Sequence, residues 1–113
     1  AIAEYLAETQ TSRQLLGKTP LERAEVRRLV GWFDRLFYAE ACGPILEEKV
    51  YKFFRDRLEP NADILRAARK RVPHHLDYLA TVVSTRGWLG TDYFSYADIT
   101  AAAHLSVLDY LGE

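Results

Sequence analysis

The chain has 113 residues, with 15 basic and 16 acidic side chains and a formal net charge of −1. This length suits one domain, which can bury roughly 65% of its unfolded surface and needs no disulfide or metal to form a core. The near balance of charge argues against a general binder of nucleic acid or of membrane surfaces. No apolar stretch approaches the roughly 20 residues that a membrane-spanning helix requires.

Cysteine and histidine usage predicts neither a disulfide nor a metal site. Cys42 is the only cysteine, so no internal disulfide can form, and we expect a reducing, cytoplasmic setting. His74 and His75 are neighbours and point about 100° apart on a helix, so they cannot share an ion, and we interpret them as a surface pair. His104 stands alone, and we expect it to be neutral and hydrogen-bonded in the core.

A helix is predicted at the start of the chain. Apolar residues fall at helical spacing within 1–9, whereas 10–18 contains Ser and Gly and is typical of a linker. The chain opens with Ala1 rather than Met, in mid-helix pattern, and so we expect a fragment of a longer protein.

The second predicted helix begins at Thr19. Thr19 is a suitable N-cap, Pro20 suits the first helical position, and Glu22 completes a capping box. Apolar residues then recur every three or four positions to about position 41 and give the helix one core-facing side. These residues are Val26, Leu29, Val30, Phe33 and Phe37. We expect Gly43-Pro44 to interrupt the helix, because proline lacks a backbone donor and clashes with the preceding turn.

Two further helices are predicted before Gly87. The first covers 45–58, with an inward side made of apolar residues, namely Leu46, Val50, Phe53 and Phe54. The second covers 62–86, begins after the N-cap Asn61, and keeps its apolar phase through Pro73. We therefore expect one kinked helix there rather than two. Gly87 is a suitable left-handed stop.

The last predicted helix begins at Ser95. No charged residue occurs from Ile99 to Leu108, and a helix that is apolar on every side must lie inside the protein. Ser95 can cap the first turn, and Asp98 can return a hydrogen bond to it, as in a capping box. Phe94 and Ile99 have the spacing of a hydrophobic staple. We therefore predict a buried central helix around which the other helices pack.

This capping box and staple, opening a buried helix near the end of an all-helical chain, resemble the C-terminal domain of glutathione transferases (GSTs). The segment 86–90, Arg-Gly-Trp-Leu-Gly, resembles the family's approach to that helix, and the resemblance extends over nearly the whole chain. It implies an all-α bundle of about five helices around the central one. It also implies that 1–9 ends the last helix of a preceding thioredoxin-like domain, that 10–18 is a linker, and that 19–113 is the helical domain, truncated at its C-terminus.

The resemblance implies an intact protein that conjugates glutathione to an electrophilic acceptor and forms a homodimer. In the family, the thiol-activating residue and the residues that hold glutathione belong mainly to the preceding domain, so no catalytic residue is expected in this chain. The ending 104–113 resembles, more narrowly, GST-like proteins of α-proteobacteria, among them a division protein localised with FtsZ. A non-catalytic scaffold for a partner such as FtsZ is therefore the alternative, because a fold does not determine a function. A GST-like appendage of a translation factor or synthetase is a third reading.

A second stripe on the helix that begins at Thr19 carries the candidate site. Arg35, Tyr38, Ala39 and Cys42 recur at helical spacing, about a quarter turn from the core side. A cation, a phenol and two small groups suit a cleft for an apolar electrophile or a domain interface. In GSTs the matching helix lines the acceptor site, so the resemblance makes Tyr38 and Arg35 the first candidates. Packing against the preceding domain is the competing interpretation.

Overall fold

The computed structural model describes residues 1–9 and 15–113, which form four helical rods. The first rod is α1 (Ile2–Thr9). The second joins α2 (Pro20–Trp32), a π-helical segment π1 (Phe33–Cys42), the short α3 (Gly43–Leu46) and a second π-helical segment π2 (Glu47–Asp56). The third is α4 (Ala62–Arg86) and the fourth is α5 (Tyr96–Tyr110). The described residues contain no strand, and the all-α prediction is confirmed.

The second rod runs over 20–56 without a break, because the residues at its three internal junctions keep right-handed helical angles. The expected interruption at Gly43-Pro44 is therefore wrong. The Gly43 N–H reaches back five residues to the Tyr38 carbonyl, which is the wider hydrogen bond of a π-turn. Pro44 follows as the second residue of α3, directly after this wider turn, and the helix continues through it.

The rod begins directly after Thr19, the predicted N-cap. Glu22, the acidic residue of the predicted capping box, accepts hydrogen bonds from other residues. The Thr19 side chain accepts a hydrogen bond from the Glu22 N–H at 3.2 Å. The Glu22 carboxylate accepts from the Tyr93 hydroxyl at 2.7 Å and from the Lys18 N–H at 2.8 Å. These hydrogen bonds, that of Tyr93 foremost, lower the pKa of Glu22. The start of the rod is thereby tied to the segment that precedes α5.

The core forms along one side of this rod. The predicted core residues Val26, Leu29, Phe33 and Phe37 are all 0% exposed. They join one cluster with buried apolar residues of the other two long helices, namely Leu65, Ala68, Leu79, Val82, Ala97, Ala101 and Leu108. The helix 62–86 is continuous through Pro73, in agreement with the sequence pattern.

The described residues cover α5 on one side only. Ala97 and Ala101 are buried, whereas Ala102 and Ala103 are exposed and Ile99 is 41% exposed. Within the described part of the chain, α5 packs mainly on α2 and π1, and these reach one face of it. Within these residues, one face of α5 is buried, as predicted, and its other face is exposed.

The end of the rod is oriented differently from the prediction. Phe53 and Phe54 were expected to face inward but are 48% and 69% exposed, whereas Glu48, expected outside, is buried. The Glu48 carboxylate accepts hydrogen bonds from the Asn61 N–H at 2.7 Å and from Lys52 Nζ at 3.0 Å. Because a π-helix advances by a wider turn, a pattern assigned with an α-helical period loses its phase there.

The first nine residues contact the rod through an ion pair. Glu4 and Arg27 approach to 2.8 Å, and the hydrogen bond from Arg27 lowers the pKa of Glu4. Of the predicted linker, residues 10–14 lie outside the described residues, and 15–18 are not helical. The Leu15 carbonyl accepts a hydrogen bond from the Tyr96 N–H at 2.8 Å, at the start of α5. The assignment of 1–9 to a preceding domain stays a prediction.

Gly90 allows the segment before α5 to pack closely against α2. A Cβ on Gly90 would lie 2.7 Å from Val26 Cγ2 and 2.9 Å from Ser95 Oγ, and both neighbours are 0% exposed. We expect Gly90→Ala to lower the free energy of unfolding by about 1–3 kcal/mol, because this core cannot expand without strain. Urea denaturation of the intact protein, followed by circular dichroism, measures this change.

Gly31→Ala is the matched control for Gly90→Ala. Gly31 lies inside α2, and an added Cβ would meet nothing within 4 Å. We expect this change to stabilise the protein by about 0.5–1 kcal/mol through helix propensity. Equal denaturation midpoints for the two variants would contradict the tight contact at Gly90.

Candidate functional site

The capping residues at the start of α5 lie as the sequence predicts and have a further partner. Ser95 is the N-cap, and its N–H donates to Asp98 Oδ2 at 2.9 Å. The Ser95 hydroxyl donates to the same oxygen at 3.2 Å. Asp98 Oδ1 accepts from the Leu89 N–H at 3.1 Å. The Asp98 carboxylate therefore holds both the first turn of α5 and the segment leading into it.

The two residues of the predicted staple are both partly exposed. Phe94 and Ile99 are 39% and 41% exposed. The Phe94 ring packs edge-on against Trp88, with 5.6 Å between ring centroids. Phe94 thus packs against the 86–90 segment. Asp98 of α5 holds the same segment by accepting a hydrogen bond from the Leu89 N–H.

The structure separates Cys42 from the other three members of the predicted stripe. Arg35 and Ala39 are exposed and Tyr38 is 40% exposed, whereas Cys42 is 2% exposed and belongs to the core cluster. Burial raises the pKa of the Cys42 thiol, so the thiol is protonated and unsuited to nucleophilic attack. The wider turn of π1 accounts for the separation, because seven residues no longer complete two α-helical turns.

The Tyr38 ring has two close neighbours, Gly43 on the same rod and His104 on α5. A Cβ on Gly43 would lie 3.0 Å from Tyr38 Cε1, so the bare glycine makes room for the ring. The His104 ring of α5 meets Tyr38 edge-on, with 6.3 Å between centroids. His104 Nε2 lies 3.0 Å from Asp34 Oδ1, and the imidazole stacks on Phe33 with 5.7 Å between centroids. His104 is thus hydrogen-bonded, as the sequence predicts, but it is partly buried rather than in the core, and its partner Asp34 is exposed.

A second histidine–carboxylate pair lies elsewhere on π1, and the sequence reasoning missed it. His75, interpreted above as a surface residue, is 9% exposed, and its Nε2 lies 3.0 Å from Glu40 Oε2. The spacing of α4 contains the signal. Its buried positions alternate in steps of three and four, namely Leu65, Ala68, His75, Leu79 and Val82, with half-buried Val72 between them. The apolar residues Leu76 and Val83 each lie one position after a buried residue, His75 and Val82, and a pattern drawn through apolar residues alone therefore passes over His75.

None of the helices in the described ranges 1–9 and 15–113 combines the length and apolar character needed to cross a membrane. Within those ranges, no group of three or more His, Cys, Asp or Glu side chains could hold a metal ion. The exposed side chains of π1 include those of Tyr38, Arg35 and Ala39, which present a phenol, a guanidinium and a small apolar surface.

Comparison with known proteins gives consistent matches. The family model described as the glutathione S-transferase C-terminal domain matches residues 42–113. FtsZ-localized protein A of Caulobacter vibrioides is 46% identical over 113 residues, which is all of this chain and 50% of that protein. The chain therefore spans about half the length of the curated relative that it matches.

Solved structures show the same fold. A glutathione S-transferase from Rhodospirillum rubrum is 47% identical with a TM-score of 0.90, covering 98% of this chain and 50% of that one. FzlA from C. crescentus is 46% identical with a TM-score of 0.94, covering 99% of this chain and 50% of that one. With most of its length matched by the family model and all of it by a relative of this identity, the chain belongs to the glutathione S-transferase family, as a C-terminal helical domain.

Proposed function

We propose that the intact protein is a cytoplasmic, homodimeric GST-fold enzyme, in which this chain shapes the wall of the acceptor-substrate site. The observation that carries the proposal is the exposed stretch of π1. There Tyr38 is packed against Gly43 and His104 while 40% of the residue stays open to solvent. Arg35 and Ala39 are exposed on the same segment. A phenol and a cation beside small apolar surface suit a cleft that orients an apolar electrophile.

The reaction implied by the family would need little from this chain besides binding. The thiolate sulfur of glutathione attacks an electrophilic carbon, a carbon–sulfur bond forms, and a leaving group departs with its electron pair. In the family, the residue that activates the glutathione thiol belongs to the preceding domain, outside this chain. Cys42 cannot serve, since its thiol is buried and its pKa is raised. In this proposal Tyr38 and Arg35 contact the acceptor and none of the described residues activates the thiol.

A second candidate is a non-catalytic scaffold that binds FtsZ. It is favoured by the 46% identity, over the whole chain, to a relative named for its localisation with FtsZ. In that case Arg35 and Tyr38 would contact a protein surface or the preceding domain, since Tyr and Arg are typical interface anchors.

Retention on immobilised glutathione separates the two candidates. We expect the intact protein to be retained, to be eluted by free glutathione, and to conjugate glutathione to a nitroaryl halide. Absence of retention, together with co-sedimentation with FtsZ polymers, would overturn the enzyme in favour of the scaffold. Absence of both would contradict both candidates.

The role of Tyr38 has its own variant and control. We expect Tyr38→Ala to raise the KM for the nitroaryl halide about fivefold or more, with the KM for glutathione unchanged, because an aromatic contact is lost from the acceptor site alone. Tyr51→Ala is the control, since Tyr51 is a similarly exposed tyrosine, at 47%, on π2. Equal kinetic effects of the two changes would remove Tyr38 from the proposed site.

A further inference from the structure

We propose that the C-terminal end of the long rod docks an acidic, apolar segment of a partner protein. The rod-end surface consists of Phe53 and Phe54, near the end of π2, and of Arg57 and Leu58, which follow it. The short α3 separates this surface from Tyr38 along the rod. Binding there does not depend on the proposed function, because an enzyme and a scaffold can equally carry such a surface.

The rod-end surface exposes a cluster of large apolar side chains. Phe53, Phe54 and Leu58 are 48%, 69% and 52% exposed. The two phenylalanine rings meet edge-on, with 5.2 Å between their centroids and an angle of 88° between their planes. They therefore form one aromatic surface rather than two scattered side chains. Keeping large apolar surface in water is unfavourable, and a cluster of it is typical of an interaction site.

Arg57 adds a cation to this aromatic surface. Its guanidinium carbon lies 5.7 Å from the centroid of the Phe53 ring. Arg57 follows π2 with a φ of 56°, and among the residues that the structure describes it is the one non-glycine residue with a positive φ. Glycine is the residue that this conformation favours, so the backbone gives no reason for an arginine here. Aromatic residues and arginine are the types that are enriched at the centres of protein interfaces.

The charge around Arg57 indicates a partner that supplies carboxylates. Three of the four carboxylates in 47–59 are engaged elsewhere. Glu47 and Asp56 pair with Arg55 at 2.6 and 3.0 Å, and Glu48 is buried against the start of α4. Within 1–9 and 15–113, no carboxylate lies at ion-pair distance from Arg57. A partner carboxylate can therefore pair with this guanidinium while apolar side chains beside it cover the rings.

The first turns of α4, which follow the rod-end surface, extend the positive charge. No acidic residue occurs between Ile64 and Leu76. Lys70 and Arg71 are exposed there, and neither has an ion-pair partner in the part of the chain that the structure describes. Such a surface attracts an acidic segment from a distance and favours its correct orientation.

The same charges disfavour two other occupants. Asp56 and Glu59 are exposed on the same stretch, so an anionic membrane would meet like charges next to the apolar cluster. In a symmetric contact with a second copy, Arg57 and its neighbouring cations would face their own equivalents. A protein segment avoids both conflicts, because it can place its carboxylates on the cations alone.

The test uses two labelled synthetic helical peptides and the intact protein. One peptide carries leucine along one face with glutamate beside it, and the other has glutamine in place of glutamate. By fluorescence anisotropy we expect the glutamate peptide to bind about tenfold or more tightly than the glutamine peptide. Phe54→Ala should weaken binding of both peptides by about tenfold, whereas Leu21→Ala, which alters a side chain 81% exposed on α2, should leave it unchanged.

Arg57→Gly separates recognition from folding. The change removes the cation and suits the left-handed backbone, so we expect the denaturation midpoint to stay the same or to rise. The preference for the glutamate peptide should be lost while the glutamine peptide binds as before. Absence of peptide binding, equal binding of the two peptides by the wild type, or an unchanged preference in Arg57→Gly would overturn the proposal.

The other occupants have distinct outcomes in the intact protein. Binding to phosphatidylglycerol vesicles that Phe54→Ala abolishes would overturn the proposal in favour of a membrane. A lower sedimentation mass of Phe54→Ala would overturn it in favour of a second copy. A lower denaturation midpoint of Phe54→Ala would show that another part of the protein covers the surface, and would also overturn it. None of these measurements uses glutathione, so failure of the proposed function leaves the docking surface standing.

Discussion

Phe37→Ala in the intact protein is expected to lower the free energy of unfolding by about 3–5 kcal/mol, the cost of emptying a large core site that cannot collapse. Phe37 is 0% exposed. Its ring meets four other rings at centroid distances of 5.5 to 5.9 Å, and these belong to Trp32, Phe33, His75 and His104. Because α2, π1, α4 and α5 all contribute a ring, the lost volume borders every long helix of the described chain.

Phe54→Ala is the matched control for this effect. Phe54 is another phenylalanine of the same rod, but it is 69% exposed. We expect its removal to change stability by less than about 0.5 kcal/mol, as is usual for surface positions. Urea denaturation gives both the midpoint and the slope, and an unchanged slope shows that the two changes act on the folded state. Similar losses in both variants would mean that Phe37 is not at the centre of the core.

Asp98→Ala is the second change with a large expected effect, about 2–4 kcal/mol of destabilisation. The substitution removes the acceptor of two backbone N–H groups, those of Ser95 and Leu89, and of the Ser95 hydroxyl. Ser95 is 0% exposed, so water cannot readily replace the carboxylate there. A buried donor without an acceptor costs its full desolvation, which is more than the loss of an exposed cap.

Two companions make the Asp98 experiment specific. Asp98→Asn keeps one carbonyl oxygen as acceptor and should lie between the wild type and the alanine variant. Asp109→Ala removes an exposed carboxylate from the last turn of the same helix, where a negative charge is not favoured, and should be neutral or slightly stabilising. If Asp98→Ala has the same denaturation midpoint as wild type, then the carboxylate does not stabilise the start of α5.

Features that depend on neighbours along the chain could be predicted well. The Asn61 side chain caps α4 by accepting from the N–H groups of Asp63 and Ile64, and Gly87 ends that helix with a φ of 84°. Ser95 and Asp98 form the capping box of α5. Each depends on residues within a few positions of the backbone groups that they satisfy, so the local sequence contains the whole interaction.

The exposure of three members of the predicted stripe could be anticipated from the sequence, and that of the fourth could not. Arg35, Tyr38 and Ala39 are exposed on π1, whereas Cys42 is buried. The stripe was drawn with an α-helical period, and one π-helical segment is enough to turn its last member into the core. The contact of Gly43 with the Tyr38 ring could not be read from spacing, because the break expected at Gly43 would have separated the two residues.

The amino-acid sequence by itself determined the helical class, the caps that start and stop the helices, and the core side of α2, because all of these follow from short-range hydrogen bonds and apolar periodicity. Only the tertiary structure decided that the rod continues through Pro44, that Glu48 turns inward to Asn61, and that His75 pairs with Glu40. Each of these joins residues that are far apart in the chain or replaces the α-helical turn by a wider one. Their free energy comes from packing and from satisfying buried polar groups, which a pattern along one helix does not contain.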